Sequence, residues 1–125
     1  MIVDLASPST PAADFISRLA LGTVQFGLDY GINNTAGRPT DAAVEAILRT
    51  AKAAGLTLLD TAAAYGDSES RLGVWLSQPG NDTPAFELVT KLTAGPAPQV
   101  RQQLQEARGR LRQASLYGVM FHDFT

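Results

Sequence analysis

Apolar residues in this chain fall into short runs separated by longer periodic stretches, and that alternation predicts the fold. Arg18 to Val24 is a compact apolar run with β-branched members, which predicts a strand. Gln25 to Pro39 carries glycines, asparagines and a proline and predicts a long loop. Thr40 is placed to cap a helix whose apolar stripe is Val44, Ile47, Leu48 and Ala51, with Gly55 where such a helix stops. Leu56 to Asp60 is a nearly continuous apolar run ending in an acid, as expected of a strand buried on both faces. A loop through Tyr65 and Gly66 leads into a short helix from about Asp67 to Leu76, and Pro79 to Pro84 reads as a turn. Phe86 to Lys91 predicts the third strand. Val100, Leu104, Ala107, Leu111 and Ala114 mark a third helix, and Tyr117 to His122 predicts a fourth strand.

The predicted order is β-α-β-α-β-α-β. Strict alternation of this kind belongs to α/β proteins with a parallel sheet and right-handed crossovers. A doubly wound sheet and a barrel both fit it, and periodicity does not separate them. Residues 1–17, rich in Ser, Pro and Ala, read as a loose lead-in, and 18–125 as one domain.

Composition narrows the function. A net charge of -2 offers no basic field for nucleic acid or anionic lipid. No cysteine is present, which removes disulfides, thiolate metal sites and a thiol nucleophile, and no metal site is expected. No stretch approaches the roughly 20 apolar residues of a membrane helix, and the first residues lack the form of a signal peptide. A cytoplasmic protein is the expectation.

Candidate chemistry sits at the strand ends. Asp60 ends the second strand, Tyr65 lies in the loop just beyond it, Lys91 ends the third strand and His122 the fourth. In parallel α/β folds these ends share one face, where active sites form. A tyrosine with an ordinary pKa of about 10 is a poor acid at neutral pH. A lysine ammonium beside it stabilises the phenolate, and a carboxylate holds the ammonium in place. A histidine can donate a hydrogen bond to a carbonyl oxygen and orient it. The set suits protonation of an oxygen that gains negative charge, as when hydride adds to an aldehyde or ketone. No side chain supplies hydride, so a nicotinamide cofactor is required.

The segment Asp60-Thr-Ala-Ala-Ala-Tyr65-Gly-Asp-Ser-Glu69-Ser-Arg-Leu72-Gly73 resembles the aldo-keto reductase signature D-T-A-x-x-Y-G-x-S-E-x-x-L-G, with every fixed position present. Leu21-Gly-Thr23-Val-Gln-Phe-Gly27, Val89-Thr-Lys91 and Val119-Met-Phe-His122 are similar to that family's first, third and fourth strands. The resemblance runs over residues 18–125. It implies parallel (β/α) units forming the first half of a TIM-type (β/α)₈ barrel, and an NAD(P)H-dependent oxidoreductase that reduces a small-molecule carbonyl substrate. Within it Tyr65 is the general acid, Asp60 and Lys91 tune it, and His122 positions the carbonyl. Gly22, Thr23 and Asp60 lie near the nicotinamide. NADPH is the expected cofactor, with NADH as the alternative. Where many members have a proline closely following the histidine, Asp123-Phe124 stands here.

A full barrel takes roughly 250 residues, and this sequence offers four strands. The alternative expectation is therefore a truncated, inactive half-barrel, or an interaction module completed by a second chain, with self-association through open barrel edges. Of the remaining motif residues, Glu69 and Arg71 are expected on the helix surface and Trp75 in the core.

Overall fold

The computed structural model describes residues 15–123; most of the expected N-terminal lead-in lies outside them. Strand β1 spans Ala20–Gly22 and helix α1 Val24–Gly27. Helix α2 spans Asp41–Ala53, β2 Leu58–Asp60, α3 Ser68–Leu76, β3 Glu87–Leu92, α4 Ala97–Leu111 and β4 Gly118–Phe121. The strands lie in the order β1-β2-β3-β4, every neighbouring pair parallel. This consecutive order resolves the choice the sequence leaves between the two α/β plans. A doubly wound sheet reverses direction at a switch point, whereas here each crossover steps the same way. The four strands are (β/α) units of the first half of a TIM-type barrel.

Alternation along the strands sorts side chains between two faces. Leu21, Leu59 and Leu88 face the helices and pack with Val44 and Leu48 of α2, Leu72, Trp75 and Leu76 of α3, and Leu111 of α4. Trp75 is in this core, as expected. On the opposite face, the barrel interior, Ala20 and Gly22 are exposed and Leu58, Asp60, Val89 and Lys91 half-buried. The expectation that Leu56 to Asp60 is buried on both faces thus holds only on the helix side, at Leu59, because among the described residues no strand lies across the inner face. Strand β2 is also shorter than expected. The Leu56 N–H is donated to Ala51 O in the turn that ends α2, so the ladder starts at Leu58.

Local signals account for the helix ends. The Thr40 side chain accepts a hydrogen bond from Ala43 N and caps α2, and Gly55, with φ of 88°, follows its end. The stripe expected in α4 runs to Ala114, but the helix stops at Leu111 because Arg112 turns left-handed (φ 55°). The Gln113 N–H then returns to Arg108 O and satisfies a terminal carbonyl. The region expected as an uninterrupted loop from Gln25 opens with the single turn of α1, so the irregular loop begins at Leu28.

Helices α3 and α4 meet closely at Gly73, where an added Cβ would run into the main-chain carbonyl of Arg110. Gly27 plays the same part between α1 and the main chain of Tyr65. Each glycine is needed for what its missing side chain allows to approach.

Candidate active site

The parallel ladder carries the four expected residues to one rim. Gly22 pairs with Asp60, and Asp60 with Val89, so Lys91 stands two residues further toward the C-terminal end of β3. The Thr61 N–H bonds to Val89 O and the Ala63 N–H to Lys91 O, which lays the loop carrying Tyr65 against β3. The His122 N–H bonds to Leu92 O and extends the β3–β4 ladder by one step.

Lys91 is the centre of the arrangement. Its Nζ donates to Asp60 Oδ1 at 2.5 Å, to Tyr65 Oη at 3.4 Å and to Thr61 O at 3.4 Å. It also lies 5.2 Å from the centre of the Tyr65 ring. The imidazole of His122 meets the same ring edge to face, with centroids 5.9 Å apart and planes at 82°. The structure thus brings Asp60, Tyr65, Lys91 and His122 together from three strands and one loop. Burial works to lower the Lys91 pKa, but the hydrogen bonds it donates to Asp60 and then Tyr65, with their charges, outweigh it and hold the pKa above the ordinary lysine value. Lys91 is therefore a fixed positive charge at neutral pH and not a proton shuttle.

Gly22 is exposed at the end of β1, with nothing within 4 Å of where a Cβ would stand. A flat ring can lie on the backbone there, beside Asp60. Thr23 is placed differently: it is fully buried, its N–H and hydroxyl both donate to Asp60 O at 3.0 Å, and its own carbonyl accepts from Ser68 Oγ. Its side chain fixes the end of β2 from beneath the rim.

Several residues of the signature have roles that reading the sequence missed. Ser68 Oγ lies 3.0 Å from Thr23 O, 3.0 Å from Thr23 Oγ1 and 3.2 Å from Thr61 Oγ1, and all three hydroxyls are fully buried. Glu69, expected on the helix surface, is 1% exposed. Its two oxygens accept from Thr90 Oγ1 and Arg110 Nε, each at 2.6 Å. Arg71, also expected outside, has a side chain 11% exposed and bonds to Asp41, Phe26 O and Pro39 O. Both are polar residues on the inward side of α3, satisfied by partners far away in sequence. The signal available was the fixed Ser-Glu pair at the helix start, together with hydroxyl residues at two strand ends.

Among the described residues no helix is long and apolar enough to cross a membrane. Comparison with known proteins agrees with the fold. The model of the Aldo/keto reductase family matches residues 18–125. Two solved structures from Pseudomonas aeruginosa, both assigned as aldo-keto reductases, are similar to this chain at 29% identity. One has a TM-score of 0.71 and is matched over 91% of this chain and 47% of its own; the other has 0.69, over 83% and 40%. The chain thus spans less than half the length of these structures. No curated protein matches it.

Proposed function

From the premise that this chain belongs to the aldo-keto reductase family, we propose that its rim reduces an aldehyde or ketone to an alcohol, with NADPH, or NADH in its place, as the reductant. The observation that carries this reading is the ammonium of Lys91 held between Asp60 Oδ1 and Tyr65 Oη. A permanent cation placed there stabilises the anion left when Tyr65 Oη gives up its proton. Tyr65 donates its phenolic proton to the substrate oxygen as negative charge develops. Lys91 stabilises the phenolate left behind, and Asp60 keeps the ammonium aimed at Oη. His122, beside the Tyr65 ring, donates to the same substrate oxygen and fixes the carbonyl's direction. The residues present fit the reacting end of a nicotinamide: Gly22 leaves backbone open for a flat ring, and Asp60 and Lys91 border it. When bound, the cofactor supplies the hydride. Thr23 supports that end of the site by fixing the strand ends beneath it.

A second reading rests on the exposed inner face. Met120 of β4, which pairs with Lys91, is 47% exposed on that face, while Val119 and Phe121, on the helix side of the same strand, are 42% and 39% exposed. In this reading the catalytic rim is complete, but the dinucleotide is held only once further (β/α) units, from this protein or another copy, close over that face. Such a protein self-associates through its sheet edges and turns over little as a monomer.

The test is oxidation of NADPH by the purified protein with a panel of aldehydes and ketones, alongside light scattering. Turnover that falls by about a hundred-fold or more in Tyr65→Phe supports the first reading, since a positioned acid is worth roughly that factor. Turnover only in an associated form supports the second. Turnover that Tyr65→Phe and Lys91→Met leave untouched overturns the assignment.

A further inference from the structure

Helix α3 opens on Ser68, whose hydroxyl touches the ends of two strands at once. It has one proton to give. That proton goes to Thr23, whose carbonyl and hydroxyl oxygens both lie at 3.0 Å. With it committed, the contact to Thr61 Oγ1 at 3.2 Å is made by the Thr61 proton. Thr23 in turn gives its hydroxyl proton to Asp60 O. The protons therefore run in one direction, from Thr61 through Ser68 and Thr23 to the main chain of Asp60. The three hydroxyl residues are fully buried, so none of them can replace a lost partner with bulk water.

The residues held are the ones that receive the lysine. Lys91 Nζ is bonded to the side chain of Asp60 and the carbonyl of Thr61, and its third contact, Tyr65, lies on the short loop between Thr61 and Ser68. We infer that Ser68 is a positioning residue, setting the distances from Asp60, Thr61 and Tyr65 to the Lys91 ammonium through the buried hydroxyl chain. The inference rests on the reading of Lys91 as the fixed charge beside the acid. Loss of the Ser68 hydroxyl strands the buried Thr61 proton and leaves the Thr23 carbonyl with the single bond from Phe26 N–H. The loop then relaxes to recover partners, and the ammonium loses its seat.

The lysines of the sequence are Lys52 and Lys91, so competitive acylation reads the seat directly. Lys52, bonded to Asn81 O at the far end of α2, is the internal reference. The protein is treated with limiting acetic anhydride at neutral pH, and the Lys91-to-Lys52 labelling ratio is measured by peptide mass spectrometry. The ratio should rise about three- to tenfold in Ser68→Ala, because every unit by which a lysine pKa falls yields about ten times more neutral amine. Thr61→Val, which removes the hydroxyl at the other end of the chain, should move it in the same direction, and serves if Ser68→Ala fails to fold. Leu48→Val, a core substitution remote from the rim, should lower the melting temperature and leave the ratio alone. An unchanged ratio in both hydroxyl variants, or an equal rise in Leu48→Val, overturns the inference. Turnover adds a second arm: Ser68→Ala should slow carbonyl reduction in the wild-type background and cost nothing further in Tyr65→Phe, where a purely structural role would cost the same in both. Absent turnover in the wild type would count against the proposed function, while the labelling ratio would still decide the role of Ser68.

Discussion

Replacing Glu69 by alanine should be among the most damaging single changes outside the rim. Its carboxylate is enclosed by α3, β3 and α4, and both oxygens are used. Losing the bond from Thr90 costs about 1 kcal/mol, and losing the charge-assisted bond from Arg110 about 1.5–3. Breaking a buried ion pair from one side typically costs about 3–5 kcal/mol. Arg110 is 35% exposed and can recover hydration, which places the expectation near the lower end, at about 3 kcal/mol. For a chain of this size that is a fall in melting temperature of roughly 10 °C. Glu69→Gln keeps the shape and one acceptor and should cost about half as much. Arg110→Ala leaves the fully buried carboxylate without its cation, so it should be at least as harmful as Glu69→Ala despite the greater exposure of Arg110. Thermal and urea unfolding followed by circular dichroism measure all three. If Glu69→Ala unfolds within about 1 kcal/mol of the wild type, the carboxylate faces solvent and the enclosure described here is wrong.

Other expectations are sharper in direction than in size. The Lys91 pKa is raised in the folded state, so its ion pair stabilises fully below the free lysine value of about 10.4 and that stabilisation fades as pH rises through the folded value. The melting-temperature gap between wild type and Lys91→Met should therefore be flat through neutral pH and close in strongly alkaline buffer; a gap that closes on acidification from neutral to mildly acidic pH would contradict this. Gly73→Ala drives a Cβ against the Arg110 carbonyl and should cost about 1–3 kcal/mol by prising α3 from α4, although alanine is the better helix former; calorimetry decides, and a stabilised variant would refute the close approach. Asp67→Asn removes the exposed pair with Arg38, both side chains more than two-fifths exposed, and should shift unfolding by no more than about 1 kcal/mol.

What was legible in the sequence follows a physical divide. Alternation and periodicity report on which side of an element is apolar, so the element order, the packing of Val44 and Leu48, and the core position of Trp75 could be read directly. The rim residues could be read because the ends of parallel strands coincide in space whatever the helices do. Glu69 and Arg71 could not, because a charged residue in a helix looks the same whether it faces water or a partner such as Arg110, which lies 41 positions on. The end of α4 was misread for a related reason: Ala114 continues the stripe, and nothing in composition announces that Arg112 will take the left-handed turn. Ser68 was missed because a serine at a helix start ordinarily reads as a cap, whereas here Asp67 holds the cap position and the Ser68 hydroxyl is spent on the strand ends.

Strand β3 presents Leu88, Thr90 and Leu92 to the helices and Val89 and Lys91 to the inner face. A slip of one residue would exchange the two sets, driving the ammonium among leucines and turning those leucines outward. The apolar residues of this strand thus act as the proofreaders of its chemistry: the one-residue misalignment that would bury the lysine also dissolves the core. Substitutions that weaken this contrast, such as Leu88→Lys or Lys91→Leu, should leave a sheet that forms but no longer has one way to line up.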